Sequence, residues 1–232
     1  MAGRIITVAQ QKGGTGKTTL VAHLAIAFAR QDKSVAILDV DPQGSLGEWF
    51  EARERRLGDG ATGLTFRTAS GWGARREARS LTRDHDVVVV DTPPKSDSEA
   101  RPAIEAADLV IVPVQPTPVD VWATDSTLEM IARERVAGLL VINRVPQRAL
   151  LTAEMITAIR ALGCAAAETQ LGNRVAFAAS MGKGATVMEL EPAGKAAREV
   201  AALAVEILQR LGLISSPEAA RASEIQPLPK AS

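Results

Sequence analysis

Residues 10–20 read QQKGGTGKTTL, a run in which three glycines lie between two lysines, Lys12 and Lys17. The apolar residues 4–9 before this run predict a buried strand, and the apolar residues 20–29 after it predict a helix. A glycine-rich loop between a strand and a helix turns backbone N–H groups toward an anion, and the helix dipole adds to the attraction. The run therefore predicts a phosphate-binding loop, which this setting favours over an ordinary glycine-rich turn with solvated lysines.

The loop departs from the usual phosphate-loop pattern at its start. The pattern G-x-x-x-x-G-K-[ST] places a glycine at position 11, where this chain has Gln11. Lys17 supplies the charge that such loops offer to the β- and γ-phosphates, and the Thr18 hydroxyl is placed to ligate Mg²⁺. Lys12 is therefore an additional cation. The residues of this run expected to contact the nucleotide are Lys12, Gly13, Gly14, Thr15, Gly16, Lys17, Thr18 and Thr19.

Composition limits the classes of protein that the chain can represent. Its 232 residues are 46% hydrophobic and 23% charged, which is enough for one sizeable α/β domain. The formal net charge is zero, so a contact with nucleic acid needs a local basic patch. The single cysteine, Cys164, excludes an internal disulfide and fits a reducing cytoplasm. Because no apolar run has membrane-spanning length and no signal peptide is recognisable, we expect a cytoplasmic protein without a membrane partner.

Continuous apolar runs alternate with helical patterns along the chain. The predicted strands are 4–9, 34–38, 64–67, 86–90, 109–114 and 138–142, with a weaker candidate at 164–168. The predicted helices are 18–31, 46–57, 72–82, 98–107, 118–135, 149–162 and 193–211. This alternation is typical of an α/β fold with a doubly wound, mostly parallel sheet and helices on both faces. We expect a single domain over residues 1–213 and a disordered tail over residues 214–232.

Acidic residues follow two of the predicted strands, at the sheet edge where ligands of such folds bind. Asp91 ends a run of four valines, and Asp39 and Asp41 belong to the stretch DVDPQ after the second strand. Next to a phosphate loop, Asp91 is placed to hold Mg²⁺ directly or through water, although a helix cap or turn is the alternative role. We expect Asp39 and Thr18 to complete the metal site. Asp41 lies further into its loop and is the candidate to orient the attacking water.

Candidates for binding the base follow two later strands. Asn143 closes the stretch GLLVIN, and its amide can donate to and accept from a base edge, although a turn-forming Asn is a serious alternative. The stiff segment that contains Gln115 and Pro116 lies at the same edge of the sheet and could form one wall of the base-binding site.

Four motifs together resemble a known family. KGGTGKTT, DVDPQGSL, VVVVDTPP and PVQPTPVD occur in the order found in the ParA/MinD class of deviant Walker A ATPases, and the resemblance covers about residues 3–212. The chain is most similar to small ParA proteins that segregate plasmids or position cytoplasmic cargo. The resemblance implies a homodimer that encloses two ATP molecules, with Lys12 reaching the nucleotide of the partner subunit. It also implies catalytic roles for Lys12, Lys17 and Asp41, and the cofactors ATP and Mg²⁺.

The sequence distinguishes a ParA-type ATPase from several other classes of protein with this fold. A single cysteine excludes an iron–sulfur protein of this fold, the absence of tyrosine excludes a self-phosphorylating tyrosine kinase, and the final helix lacks a basic membrane-binding face. Two classes remain. One is a positioning ATPase that binds DNA non-specifically and is stimulated by a ParB-like or cargo-adaptor protein. The other is a metabolic ligase of the dethiobiotin or cobyrinate synthetase kind. Lys12 and the DPQ motif favour the first.

DNA contact would come from exposed basic residues. The candidates are Arg174, Lys183, Lys195 and Arg198, with Arg144 and Arg148 in addition. Each is by default a solvated surface charge. The arginines at 53, 55 and 56 and at 75, 76 and 79 alternate with glutamates and predict solvated helix faces. The sequence leaves the cargo open among a plasmid, a chromosome origin, a chemoreceptor cluster and a carboxysome.

Overall fold

A computed structural model describes residues 2–58, 60–94, 97–146 and 150–215, and in these ranges the chain forms six strands and nine helices. The strands are β1 (Arg4–Val8), β2 (Val35–Asp39), β3 (Thr65–Thr68), β4 (Val87–Asp91), β5 (Leu109–Val114) and β6 (Gly138–Ile142). The helices are α1 (Lys17–Ala29), α2 (Ser45–Leu57), α3 (Gly71–Leu81), α4 (Asp97–Ala106), α5 (Pro118–Glu134), α6 (Leu150–Arg160), α7 (Val175–Met181), α8 (Val187–Leu190) and α9 (Lys195–Arg210).

The six strands form one parallel sheet in the order β3-β2-β4-β1-β5-β6. Helices α1, α2, α8 and α9 share a hydrophobic core with one face of this sheet, and α3–α6 cover the other face. The central strands are therefore buried on both sides, which is why their sequences are apolar throughout. The predicted doubly wound α/β fold is confirmed, and the register places Asp39 directly beside Asp91 at the carboxyl edge.

The weaker strand candidate was wrong. Residues 164–168 contribute only an isolated bridge between Ala166 and Leu140, because the chain runs alongside β6 for too short a distance to form a ladder. Helices α7 and α8 were not predicted, since each has seven residues or fewer and leaves little room for periodicity. Most of the predicted tail, residues 216–232, lies outside the described residues, so the tail and domain limits stay predictions.

Arg53 is not part of a solvated helix face as predicted. Its side chain is buried, with Nε donating to the Thr62 carbonyl at 2.9 Å and Nη1 donating to Glu189 Oε1 at 2.8 Å. Arg56 contacts the same carboxylate at 2.9 Å. The burial is possible because Glu189, on α8, supplies a counter-charge that sequence periodicity does not show. The contacts of Arg53 and Arg56 with Glu189 therefore link α2 to α8.

The three tryptophans occupy different environments. Trp49 lies in the core and donates from Nε1 to the Ala185 carbonyl at 3.1 Å. Trp72 on α3 and Trp122 on α5 are 95% and 70% exposed. Among the helices that the structure describes, none combines the length and the apolar character needed to cross a bilayer.

Candidate functional site

The loop between β1 and α1 bends sharply at Gly16, directly before α1. Gly16 has a φ of +94°, a region that disfavours side chains, and a Cβ there would lie 2.8 Å from the Asn143 amide nitrogen. The helix therefore begins at Lys17 with its N-terminus open toward the loop. This arrangement matches the phosphate cradle that the sequence predicts.

Lys17 lies inside the loop. Its buried ammonium donates to the Gln10 carbonyl at 2.9 Å. Burial lowers the pKa of Lys17, while the neighbouring carboxylates of Asp91 and Asp41 act in the opposite direction. A cation that is partly stripped of water and held by one carbonyl is well placed to exchange that carbonyl for a phosphate oxygen.

The Thr18 hydroxyl and Asp91 form a compact pair at the start of α1. Thr18 Oγ1 donates to Asp91 Oδ2 at 2.7 Å, whereas Asp91 Oδ1 is buried and has no hydrogen-bond partner among the described residues. Burial raises the pKa of Asp91 to about 7 despite the hydrogen bond from Thr18. An orphaned carboxylate oxygen beside a hydroxyl fits a hard divalent cation such as Mg²⁺. Among the described residues, no three or more His, Cys, Asp or Glu side chains form a group that could hold a metal ion.

Asp39 and Asp41 have separate positions. Asp39 accepts from the Asp41 N–H at 3.0 Å and from the Gly47 N–H at 3.3 Å, and burial raises its pKa. Both of its oxygens therefore hold the backbone of the following loop. Asp41 accepts from the Gln43 N–H at 2.9 Å and lines a cavity of about 750 Å³ together with Lys17 and other loop residues. The structure thus brings Asp41 to the phosphate loop.

Two residues predicted to bind the base, Asn143 and Gln115, contact the phosphate loop through their side-chain amides. Asn143 donates to the Thr15 carbonyl at 2.8 Å, and Gln115 donates to the Gly14 carbonyl at 3.1 Å. Pro116 is buried next to Gln115. These amides follow β5 and β6, and they support the loop backbone by hydrogen bonds.

A second cavity, of about 250 Å³, opens beside the loop and was not predicted. Leu20, His23, Leu171 and Phe177 are among the residues that line it. Its partly apolar wall next to Gly16 suits a planar base, and Asn143 also lines it. The signal missed in the sequence was α7, which contributes Phe177 and is too short to recognise by periodicity.

Lys12 takes a different direction from Lys17. Its ammonium lies 2.7 Å from Asp120 Oδ2, at the first turn of α5, and does not enter its own loop. The side chain of Gln10 joins the same helix, because its Nε2 donates to Thr124 Oγ1 at 3.1 Å and its Oε1 accepts from Thr127 Oγ1 at 3.0 Å. These contacts with α5 were not predicted from the sequence.

Comparison with known proteins identifies the family. A profile described as the CobQ/CobB/MinD/ParA nucleotide binding domain matches residues 6–187. The chain belongs to this CobQ/CobB/MinD/ParA family. As a member of the ParA/MinD group within it, the chain is an ATPase.

Curated relatives of this family member include positioning and partition proteins. It is 29% identical over 201 residues to the Maintenance of carboxysome distribution protein A of Halothiobacillus neapolitanus, covering 84% of this chain and 91% of that protein. It is also 29% identical over 244 residues to the Chromosome-partitioning ATPase Soj of Thermus thermophilus, covering 90% of this chain and 96% of that protein.

Solved structures of the family share its fold. The septum site-determining protein MinD of Pyrococcus horikoshii, complexed with Mg-ADP, superposes with a TM-score of 0.77 at 18% identity, covering 91% of this chain and 98% of that one. The ATP complex of McdA from Cyanothece gives a TM-score of 0.73 at 17% identity, with 93% and 98% coverage. At these identities the likeness shows the fold alone.

The predicted DNA-binding residues of this ParA/MinD-type ATPase lie partly together. Arg174 forms an ion pair with Glu199 on α9, whose exposed first turn carries Lys195 and Arg198. Lys183 is exposed between α7 and α8, and Arg144 is exposed beside the loop, whereas Arg148 lies outside the described residues. Because the charge of Arg174 is balanced by Glu199, the net positive field of this region depends mainly on its neighbours.

His23 joins the nucleotide helix to α7 and α8. Its Nδ1 contacts the Thr19 carbonyl at 2.7 Å, and its Nε2 accepts from the Val187 N–H at 3.2 Å. Burial lowers the pKa of His23 to about 4, so the ring is neutral at physiological pH. The residue therefore serves as a neutral connector and not as a cation for phosphate.

We expect the contribution of Asp91 to the stability of this ATPase without nucleotide to fall as the pH rises, opposite in sign to that of His23. Asp91 keeps its proton up to about pH 7 in the folded protein, whereas an unfolded aspartate ionises near pH 4. The folded state binds the extra proton between these values, so unfolding becomes easier through this range, by at most about 4 kcal/mol. Asp91→Asn should flatten this dependence. Denaturant unfolding between about pH 4 and pH 8 without Mg²⁺ measures it, and identical slopes for both proteins would contradict the assignment.

Proposed function

We propose that the protein is an ATP-dependent dimerising ATPase of the ParA type. In its ATP state it binds double-stranded DNA non-specifically and segregates or positions a plasmid, a chromosome region or a protein cargo. A ParB-like or cargo-adaptor protein stimulates hydrolysis. The observation that carries this proposal is the separation of the two lysines, with Lys17 inside its own loop and Lys12 directed out of it.

The geometry of the two lysines supports action between subunits. One ammonium is enough to meet the phosphates from inside the loop, and Lys17 occupies that place. Lys12 stands at the loop mouth, where a face-to-face partner would present its own nucleotide. A cation that arrives only on dimerisation stabilises negative charge in the transition state, as an arginine finger does. Dimerisation and turnover would then depend on the same side chain.

The cofactor site follows from the loop. Thr18 and Asp91 would hold Mg²⁺, which neutralises phosphate charge when bound, and Asp39 would fix the loop that carries Asp41. Asp41 would accept a hydrogen bond from the attacking water and so orient it in line with the γ-phosphate. The cavity lined by Leu20 and Phe177 would receive the base.

The relatives support the cellular role. Two proteins that match most of the chain are named for carboxysome distribution and chromosome partitioning. A cytoplasmic, nucleoid-associated location follows from non-specific DNA binding.

Sedimentation velocity with and without ATP tests the proposal. We expect monomers without nucleotide, dimers with ATP and Mg²⁺, and an ATPase rate that rises with DNA and a partner protein. ATP turnover that rises with a small carboxylic acid and ignores DNA would instead favour the ligase alternative.

DNA binding should require ATP, ignore sequence and weaken steeply with salt, because phosphates are the groups contacted. Arg174→Ala should weaken it and lower the salt slope by about 1 without abolishing ATP binding. Arg160→Ala is the control, since Arg160 also forms an ion pair with a glutamate, Glu168. Fluorescence anisotropy over a salt series measures both variants. Equal binding by the nucleotide-free protein would overturn the switch.

A further inference from the structure

Lys12 is paired with a carboxylate that is almost inaccessible to solvent. The Asp120 side chain is 3% exposed, and its Oδ2 lies 2.7 Å from the Lys12 ammonium, which is itself 32% exposed. A buried carboxylate is costly unless a counter-charge and hydrogen bonds compensate for the lost water. Within the described chain, the ion pair with Lys12 provides that counter-charge.

Asp120 is held in place by its own helix. The Thr117 hydroxyl donates to Asp120 Oδ2, and the Asp120 N–H donates back to Thr117 Oγ1 at 3.3 Å. The Asp120 carbonyl accepts from Thr124 Oγ1 at 2.8 Å. The other carboxylate oxygen, Oδ1, is buried and has no hydrogen-bond partner in the described structure. The carboxylate is thus fixed, and the flexible lysine is the mobile member of the pair.

Capping of α5 explains only part of this arrangement. Thr117 and Asp120 occupy the positions of a helix-capping pair, which accounts for their mutual hydrogen bonds. Capping alone favours an exposed carboxylate, where water meets the second oxygen. It does not explain why Asp120 is buried. It also does not explain why the carboxylate contacts Lys12, the additional lysine that ordinary phosphate loops lack.

We propose that Asp120 is a positioning residue that holds Lys12 within its own subunit and thereby opposes dimerisation until ATP is bound. This inference rests on the proposed function, because it assumes that Lys12 acts on the partner's nucleotide. Lys12 leaves Asp120 when it crosses the interface, and the buried carboxylate then loses its counter-ion. The attraction between Lys12 and the partner's phosphates must exceed that loss. Asp120 therefore sets the protein concentration at which ATP produces dimers.

The test compares Asp120→Asn with the wild type and with Asp125→Asn. Asn keeps the shape and the capping contact but removes the charge that holds Lys12. Asp125 is an exposed aspartate on the same helix, so its replacement removes an equal charge without touching Lys12. Sedimentation velocity with ATP at several protein concentrations gives the dimer dissociation constant. We expect it to fall about tenfold in Asp120→Asn, as for a lost charged hydrogen bond, and to stay unchanged in Asp125→Asn.

A second readout follows the pair without dimerisation. Brief acetylation of the full-length monomer without nucleotide, followed by mass spectrometry of the Lys12 peptide, reports how free the ammonium is. Lys12 should react several-fold faster in Asp120→Asn, with Lys183, exposed elsewhere, as an internal reference. Thermal unfolding confirms that the variant is folded.

The outcomes separate the two proposals. Wild-type protein that stays monomeric with ATP overturns the proposed function and this inference with it. Wild-type dimers together with an unchanged or weaker dimer in Asp120→Asn overturn the inference alone. Unchanged Lys12 acetylation in that variant overturns the pairing itself. A similar tightening in Asp125→Asn would assign the effect to net charge and also overturn it.

Discussion

Lys17→Ala should lose ATP binding by about 100-fold, because the buried ammonium that would meet the phosphates is replaced by a methyl group. The loss should appear in the monomer, since Lys17 lies within its own loop and contacts the Gln10 carbonyl. Isothermal titration calorimetry with a slowly hydrolysed ATP analogue measures it. Turnover, dimerisation and DNA binding should all disappear together.

Lys12→Ala is the matched comparison, because it removes the other lysine of the same loop. The Lys12 ammonium lies on Asp120 and outside the phosphate cradle, so nucleotide affinity of the monomer should remain within a few-fold of the wild type. The Lys12→Ala protein should nevertheless fail to dimerise, to hydrolyse ATP and to retain DNA. Normal dimers and normal turnover in Lys12→Ala would show that the second lysine is a bystander and would return the ligase alternative to consideration.

Asp41→Ala should bind ATP and dimerise yet hydrolyse it roughly 100- to 1,000-fold more slowly, a loss typical of a missing general base or water-orienting group. The phosphate loop and the Thr18–Asp91 pair remain intact in this variant, so ground-state binding persists. DNA-bound dimers should therefore accumulate. A phosphate-release assay alongside sedimentation velocity measures both properties.

Glu48→Ala controls for the loss of a carboxylate at the same place. Glu48 lines the same cavity as Asp41, from the first turn of α2. It should hydrolyse ATP at close to the wild-type rate. Wild-type turnover by Asp41→Ala, or an equal loss in Glu48→Ala, would remove Asp41 from the role assigned to it.

The parts of the fold that follow from local chemistry were predictable. Four consecutive valines before Asp91 indicate a strand buried on both faces, and a strand followed by glycines and GKT indicates a phosphate cradle. Because Asp39 and Asp91 both end predicted strands of one parallel sheet, the acidic edge of the site also followed from the sequence, and the structure places the two residues side by side. Each of these signals is contained within a few consecutive residues of the chain.

The parts that depend on distant partners were not predictable. In the sequence, Arg53 resembles a surface arginine. In the structure it pairs with Glu189, which is more than a hundred residues away along the chain. Asn143 ends a strand in the expected place, but its amide is used by the Thr15 carbonyl, which only the folded loop presents. The pairing of Lys12 with Asp120 has the same origin. In each case the chemistry of the residue was evident and its partner was not.

Trp122 gives the protein a natural optical probe. The indole is 70% exposed and belongs to the same turn of α5 as Asp120, which it follows by two residues. Fluorescence of an exposed indole shifts to shorter wavelength when water around it is displaced. Trp72→Phe would remove the other exposed indole, which is on α3. Subunit encounters at this end of α5 could then be timed in a stopped-flow instrument on unlabelled protein.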